Sequence, residues 1–356
     1  MSSETIGVGF IGAGPVTQAI HVPTLARIGA PFRVVAVMDV DAAVAESVAD
    51  RVHASWTTDA TEILANDAVD VVAVCSPHRF HAEQVIAACR AGKRAVFCEK
   101  PFAMSREEAK AIMRVSAETG VPIIVGAMHT FDPAWVAARS HAEALLATAH
   151  TIRYSIVLPP NPRFEDFATQ VVGRPVAMTP PDRSDPEVAA ADMFGQVMGL
   201  AIHDLPLVRA FCPDFRKPQL LDCRIPQLGG YVLDLQVGNR AVRVEAIHTD
   251  GWQPEWCFEV IGDDSALRID FTPSYVHAGS GTAVVTLDGE RTVFGPFAQN
   301  GYEAEWRYLA ALVEGRAEPL HTADLIEDVT FALTIAKQAS QAARALVAGQ
   351  QSGAAA

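Results

Sequence analysis

Gly12 and Gly14 stand where an apolar stretch carrying Ile6, Val8, Phe10 and Ile11 gives way to Pro15 and Val16. A glycine turn between a strand and a helix lets backbone N–H groups approach a pyrophosphate, and the helix N-terminus favours its charge. The third position of the G-x-G-x-x-G/A pattern is Thr17 rather than Gly or Ala. A second apolar run, 32–38, closes on Asp39, 25 residues after Gly14, close to the roughly 20 expected of a carboxylate that accepts from the adenosine ribose hydroxyls. Such a carboxylate repels a 2′-phosphate, and the neighbours Val40 and Asp41 supply no cation for one. NAD is therefore expected over NADP. The competing role for Asp39 is to cap the helix read over 42–51.

Two more clusters follow apolar strands, at the ends where open α/β sheets bind their ligands. The first is Ser76, Pro77, His78 and His81, a turn running into a helix. The second is Glu99-Lys100-Pro101. A lysine is seldom buried without a reason, and the proline sets a turn that aims both charged side chains toward the crevice.

The elements that must position these residues alternate regularly as far as Gly126: strands over 69–76, 94–98 and 122–126, helices over 82–91 and 106–119. Single helices between strands imply parallel pairing and a doubly wound sheet. The later chain differs. It has period-two strands at 231–237 and 240–247, hairpin signals at Gly238-Asn239 and Asp288-Gly289, a helix over 196–211, and helical periodicity over 302–346. The fold class expected is α/β: a dinucleotide-binding domain over 1–126, then an α+β domain over 127–348 with a large, open, mostly antiparallel sheet. A loop insertion is expected over 158–186 and a disordered tail over 349–356.

Composition limits the partners. A chain of 356 residues exceeds one hydrophobic core, and a net charge of −14 opposes nucleic acid and anionic membranes. The start lacks a basic signal-peptide region, and no apolar run reaches the ~18 residues of a membrane span. Six cysteines occur without a C-x-x-C pair, and Cys75, Cys89 and Cys98 read as buried thiols. A cytoplasmic location is expected. His129, His203 and His248 come from separate elements without ligand spacing, so no metal is expected.

On these residues the chain resembles the Gfo/Idh/MocA family of nicotinamide-dependent oxidoreductases. The likeness rests on the turn at Gly12 and Gly14, Ser76-Pro77 with His81, Glu99-Lys100-Pro101, Val125-Gly126 and the helix carrying His203. It implies a Rossmann domain followed by a domain whose sheet covers the cofactor crevice. It further implies NAD- or NADP-linked oxidation or reduction of a sugar, cyclitol or related polyhydroxy compound. Lys100 would sit beside the reacting hydroxyl and Glu99 near the nicotinamide ribose. The family's open sheet implies a homodimer or homotetramer, with 231–237 and 240–247 as interface candidates. The family places an Asp four residues before the His, but here that position is Gly199, and Pro206 stands where a second acid is common. On a continuous helix Asp204 points about 100° away from His203 and Asp192 lies nearly two turns from Gly199, so neither replaces the missing acid.

His203, with an ordinary pKa near 6.5, suits the base that removes a hydroxyl proton. Lys100 can hold the oxygen or relay the proton. His129 follows the last parallel strand and is, with Asp204, a candidate for substrate contact. Trp252, Trp256 and Tyr275 read as packing or interface residues. Three functional classes follow: a dehydrogenase or reductase, a redox-neutral lyase or glycosidase using tightly held NAD, and a noncatalytic dinucleotide-binding regulator.

Overall fold

Residues 5–174 and 181–354 are described by the computed structural model. The first sheet has six parallel strands in the order β3-β2-β1-β4-β5-β6: β1 (Ile6–Ile11), β2 (Phe32–Met38), β3 (Ser55–Thr57), β4 (Val71–Val74), β5 (Ala95–Glu99) and β6 (Ile123–Gly126). Its helices are α1 (Val22–Ile28), α2 (Ala42–Val52), α3 (Ala60–Ala65), α4 (His81–Arg90) and α5 (Arg106–Thr119). This strand order reverses direction between β1 and β4, which opens a crevice at their carboxyl ends. Every residue of β1, β4, β5 and β6 is buried, as expected of parallel strands covered on both faces. The sequence reading lacked β3 and α3, which are too short for their periodicity to register.

The second sheet has eight strands, ordered β14-β13-β12-β11-β7-β10-β9-β8. After α6 (Pro133–Ala138) and α7 (Ala142–Thr148) come β7 (Thr151–Leu158), α8 (Pro162–Ala168), α9 (Pro186–Leu200), α10 (Leu205–Ala210) and β8 (Gln219–Arg224). The remaining strands are β9 (Gly230–Val237), β10 (Arg240–His248), β11 (Glu255–Ile261), β12 (Ser265–Asp270), β13 (Thr282–Leu287) and β14 (Glu290–Phe294). Only the β7–β10 pair is parallel. Both expected hairpins form, joining β9 to β10 and β13 to β14. The exposed sides of these strands carry charge: Arg268 pairs with Glu259 and Asp270, and Arg243 with Asp234 and Glu245.

Three readings of the later chain are corrected. The segment 158–186 is not a plain loop, because α8 starts within it with Pro162 in its first turn, where a missing N–H costs nothing; residues 175–180 lie outside the described part. The helix expected over 196–211 is two helices. Asp185 caps α9 at Glu187 and Val188, and α9 then ends in a 3₁₀ turn at Ala201–His203 before α10. Pro206 in the first turn of α10 explains the break, since it cannot donate back and disfavours helical geometry at Leu205. The tail expected to be disordered from Gly349 continues as helix α12 (Thr322–Ala354); its alanines and glutamines favour helix, and Gly349 and Gly353 cost only about 1 kcal/mol each. Among the described residues no helix is long and apolar enough to cross a membrane.

Helix α11 (Gly301–Val313) reaches back to the first sheet. Its Trp306, Leu309 and Leu312 join the core built by Ile6, Val8, Phe10 and Phe97, and Trp306 stacks on Phe97 at 4.8 Å. The late chain thus supplies part of the floor beneath the crevice.

Candidate active site

The glycine turn is built as its residue types demand. Gly12 has φ +100°, and a Cβ there would lie 2.7 Å from the main chain of Cys75 and Ser76. At Gly14 a Cβ would meet nothing within 4 Å, so the helix start is open on that side. Thr17 takes the third motif position because its hydroxyl donates to the Gly12 carbonyl at 2.7 Å and closes the turn. Asp39 accepts from Ala13 N at 2.8 Å and Asp41 N at 3.0 Å. The cap of α2 is Asp41, not Asp39. The Asp39 carboxylate keeps unused lone pairs and lines a groove of about 640 Å³ with Gly12, Gly14, Pro15, Ser76, Pro77 and His78. Open main chain at a helix start and a carboxylate one strand away fit a dinucleotide.

Two neighbours of this groove differ from expectation. Cys75 is half-buried and lines it. His81 does not line it: the ring is buried, with its nitrogens 2.9 Å from Pro101 O and 2.7 Å from Ser76 O. It ties the two ligand-facing turns together. Across the groove, Gln18 holds a segment of the later chain, donating to Val172 O at 2.9 Å and accepting from Val172 N at 2.9 Å.

A smaller cavity of about 210 Å³ adjoins the glycine turn through Val16 and is lined by Glu99, Lys100, Gly199, His203, Trp256 and Tyr275. Trp256 and Tyr275, read as packing or interface residues, are walls of this cavity. Lys100 Nζ donates to the Gly199 carbonyl at 2.8 Å. The α-helix stops one residue later, and carbonyls at a helix C-terminus carry partial negative charge and lack intrahelical donors. The main chain at Gly199 therefore supplies an anchor for the amine without the carboxylate of the family pattern. Burial lowers the pKa of Lys100, against the opposing charge of Glu99. Burial, followed by the charges of Lys100 and His129, holds His203 well below 6.5. His203 Nδ1 lies 3.1 Å from Met128 Sδ. A thioether only accepts, so the ring proton sits on Nδ1 and Nε2 keeps its lone pair.

Glu99 is almost fully buried and held by residues that the sequence reading missed. Its Oε1 accepts from His21 Nε2 at 2.9 Å, its Oε2 from Lys100 N at 3.1 Å, and Trp306 Nε1 donates to His21 Nδ1 at 3.2 Å. The indole thereby assigns the His21 proton to Nε2. Burial pushes the Glu99 carboxyl up, but the hydrogen bond from His21, with the charge and main-chain N–H of Lys100, outweighs it and leaves it below its ordinary value. His21 arrives on a π-helical turn, Thr17–His21, just before α1. A histidine nearly two turns beyond Gly14 was the available signal. Trp306, far along the chain, offered none.

His129 and Asp204, read as substrate candidates, do not line the cavity. They bond to each other, His129 Nδ1 to Asp204 Oδ1 at 2.8 Å, and Trp256 Nε1 donates to Asp204 Oδ2 at 2.7 Å. His129 also stacks on Phe271 at 3.8 Å. The helix break turns Asp204 inward, fully buried, where it fixes the wall behind His203 rather than meeting a ligand.

Residues 6–127 match the model of the GFO_IDH_MocA oxidoreductase family with its NAD-binding Rossmann fold. Over these residues, the first sheet and its helices, the chain is similar to the Gfo/Idh/MocA oxidoreductases. An inositol 2-dehydrogenase of Rubrobacter xylanophilus is 27% identical over 276 residues, covering 75% of this chain and 72% of that one. Two solved structures share the fold of this chain. A 3-ketoreductase from Actinomadura kijaniata, solved with NADP and TDP-benzene, has TM-score 0.69 at 16% identity, covering 92% of this chain and 96% of its own. GenD2 of gentamicin A biosynthesis, solved with NAD, has TM-score 0.67 at 20% identity, covering 95% of each chain.

Proposed function

We propose that this oxidoreductase uses NAD to oxidise a ring hydroxyl of a sugar or cyclitol, or to run the reverse reduction. The observation that carries the reading is the convergence of Lys100, His203 and Glu99 on one small cavity next to the glycine turn. A nicotinamide dinucleotide bound in the groove supplies the acceptor for the electron pair of the carbinol C–H bond. His203 Nε2 accepts the hydroxyl proton, the ring being neutral at neutral pH. Lys100 keeps one N–H on Gly199 O and turns its others to the substrate oxygen, where they stabilise the developing negative charge. Glu99, fixed by His21 and Trp306, holds its oxygens at the rim of the dinucleotide site. Asp39 favours NAD, since a 2′-phosphate beside it would meet a carboxylate. The exposed side of the second sheet is the surface through which we infer a homodimer or homotetramer forms.

A redox-neutral lyase or glycosidase is the second reading, favoured by the segment clamped to Gln18 across the groove, which would slow dinucleotide release. The test is NADH formation by the purified protein with NAD and a panel of cyclitols and sugars. Net NADH with at least one polyol supports the dehydrogenase. Product release without net NADH transfers the assignment to the second reading.

A further inference from the structure

An open groove of about 690 Å³ runs from the inner cavity along α9, and the two share Leu158, Asn161, Gly199 and Leu200. The inner cavity alone is below the ~300 Å³ at which ligand sites usually begin, whereas the two together lie within the ~300–1,000 Å³ range. We propose that the substrate is a glycoside, its oxidised ring against Lys100 and His203 and a second, phosphate-free ring in the groove beside α9. The inference rests on the dehydrogenase reading above and names its substrate class.

The face of α9 turned to this groove carries Asp192, Gly195, Gln196 and Gly199, one helical stripe at i, i+3, i+4 and i+7. Gly195 lies inside the helix, where glycine costs about 1 kcal/mol relative to alanine, and Gly199 stands in its last turn. Such a cost is usually explained by a close neighbour. At Gly126, for instance, a Cβ would lie 3.0 Å from Phe97 and 3.2 Å from Glu99. At Gly195 and Gly199 it would meet nothing within 4 Å. No protein atom needs that space, and both glycines open onto the groove.

The polar groups there suit hydroxyl donors. Gln196 Nε2 donates to Asp192 Oδ2 at 2.5 Å, and Arg183 Nε donates to the same oxygen at 2.7 Å. Gln196 Oε1 is shut off from solvent without a partner, so it accepts from a hydroxyl once the amide turns toward the groove. Asn161, Thr249 and Asp250 add further polar atoms along the wall. Among the described residues no Lys or Arg lines the groove, and the nearby Arg183 is committed to Asp192. With the charge of Asp192 balanced by Arg183, the groove is left with the carboxylate of Asp250 and no free cation among the described residues, which disfavours the diphosphate of a nucleotide-linked sugar and suits a neutral or amino-bearing ring. At the outer end Arg163 donates to Asp250 O at 2.9 Å and Gly251 O at 2.7 Å, and its guanidinium lies 4.7 Å from the ring centre of Trp252, which is 61% exposed.

The test compares disaccharides and glycosyl-inositols with their free rings and with UDP-glucose, on wild type and Gly195→Phe. NADH formation and calorimetric binding to the NAD-saturated protein are both measured. The substitution adds bulk to the groove and touches neither Lys100 nor His203, and a melting curve confirms the fold. We expect at least one linked substrate to exceed its free ring by tenfold or more in kcat/KM, and Gly195→Phe to erase that gain while the free ring changes by less than about threefold. A free ring preferred by wild type, an equal loss on both classes, or UDP-glucose matching the neutral glycosides overturns the proposal. Linked sugars that bind, lose affinity in Gly195→Phe, yet form no NADH leave the subsite standing and refute the dehydrogenase reading. Free rings oxidised with linked sugars neither bound nor oxidised do the reverse, and no binding or turnover of either class refutes both.

Discussion

The dinucleotide groove and the substrate cavity lie side by side but are made of different material. The groove is shaped by main chain: Gly12 packed against the backbone of Cys75 and Ser76, the open start of a helix at Gly14, and Asp39 tied back to Ala13 N. The cavity is shaped by side chains from distant parts of the chain, among them Lys100, His203, Trp256, Tyr275 and Tyr302. Main-chain geometry tolerates almost no variation at Gly12, where a Cβ has no room. A side-chain cavity keeps its chemistry only while supporting contacts such as Met128 to His203 and Lys100 to Gly199 O persist. On the proposed function, binding of the dinucleotide and selection of the substrate rest on separable sets of atoms.

Separability is tested most strongly at Lys100. Lys100→Met keeps most of the stem and removes the donors, so turnover should fall by about 10²–10⁴, the range of a lost acid–base group. Affinity for NAD should stay within a few-fold of wild type, because Lys100 lines the cavity and not the groove. Steady-state kinetics with a dinucleotide titration read both quantities. Turnover near wild type removes Lys100 from the mechanism, and parallel collapse of NAD affinity breaks the separation of the two regions.

A smaller effect is expected at Asp39. Because its oxygens also accept from Ala13 N and Asp41 N, alanine would disturb the turn along with the charge. Asp39→Asn keeps acceptor capacity and removes the repulsion toward a 2′-phosphate. The ratio of NADPH to NADH dissociation constants should fall roughly 10–100-fold, as for a charged hydrogen-bond group worth about 1.5–3 kcal/mol, with kcat on the preferred substrate little changed. Fluorescence titration of both reduced dinucleotides decides it, and equal wild-type affinities would end the NAD assignment.

The same division explains what could be read in advance. Groove residues announce themselves locally: glycines after an apolar strand, an acid closing the next one, a helix between. The expected helix over 106–119 is α5 residue for residue, because Ser105 caps it and Gly120 ends it within one short window. Lys100 and His203 were legible through motif resemblance. Asp204 was misread because its direction depends on whether the helix continues past Leu200, and Pro206 beyond it decides that. Gly199 looked like a lost acid, but its importance lies in its carbonyl, and a carbonyl leaves no mark in a sequence. Trp306 and Glu305 lie on α11, some 200 residues beyond Glu99, and only packing beneath the first sheet brings them there.

Glu305 offers the finest test, and it concerns stability. The residue is fully buried, and neither carboxyl oxygen has a hydrogen-bond partner. Burial first, and then the charge of Glu99, raises its pKa well above the ordinary 4.5. In the folded protein the group stays protonated at pH values where the unfolded chain has already released the proton. The folded state then binds more protons than the unfolded one, so stability falls as pH rises. The contribution is fully present below about 4.5 and is lost progressively as pH climbs toward the raised folded value. Glu305→Gln has nearly the same shape and no proton to lose, so it removes this slope. Its melting temperature should match wild type near pH 4.5 and exceed it by a few degrees at pH 8, each kcal/mol being worth roughly 2–4 °C or less in a chain of this size. Turnover and NAD affinity should move less than in either variant above, since Glu305 lines neither cavity. A melting difference that is constant across pH would mean that Glu305 is ionised or paired in the folded state. A large loss of turnover would mean that the floor shared by the two regions takes part in the chemistry, and that they are less separable than their walls suggest.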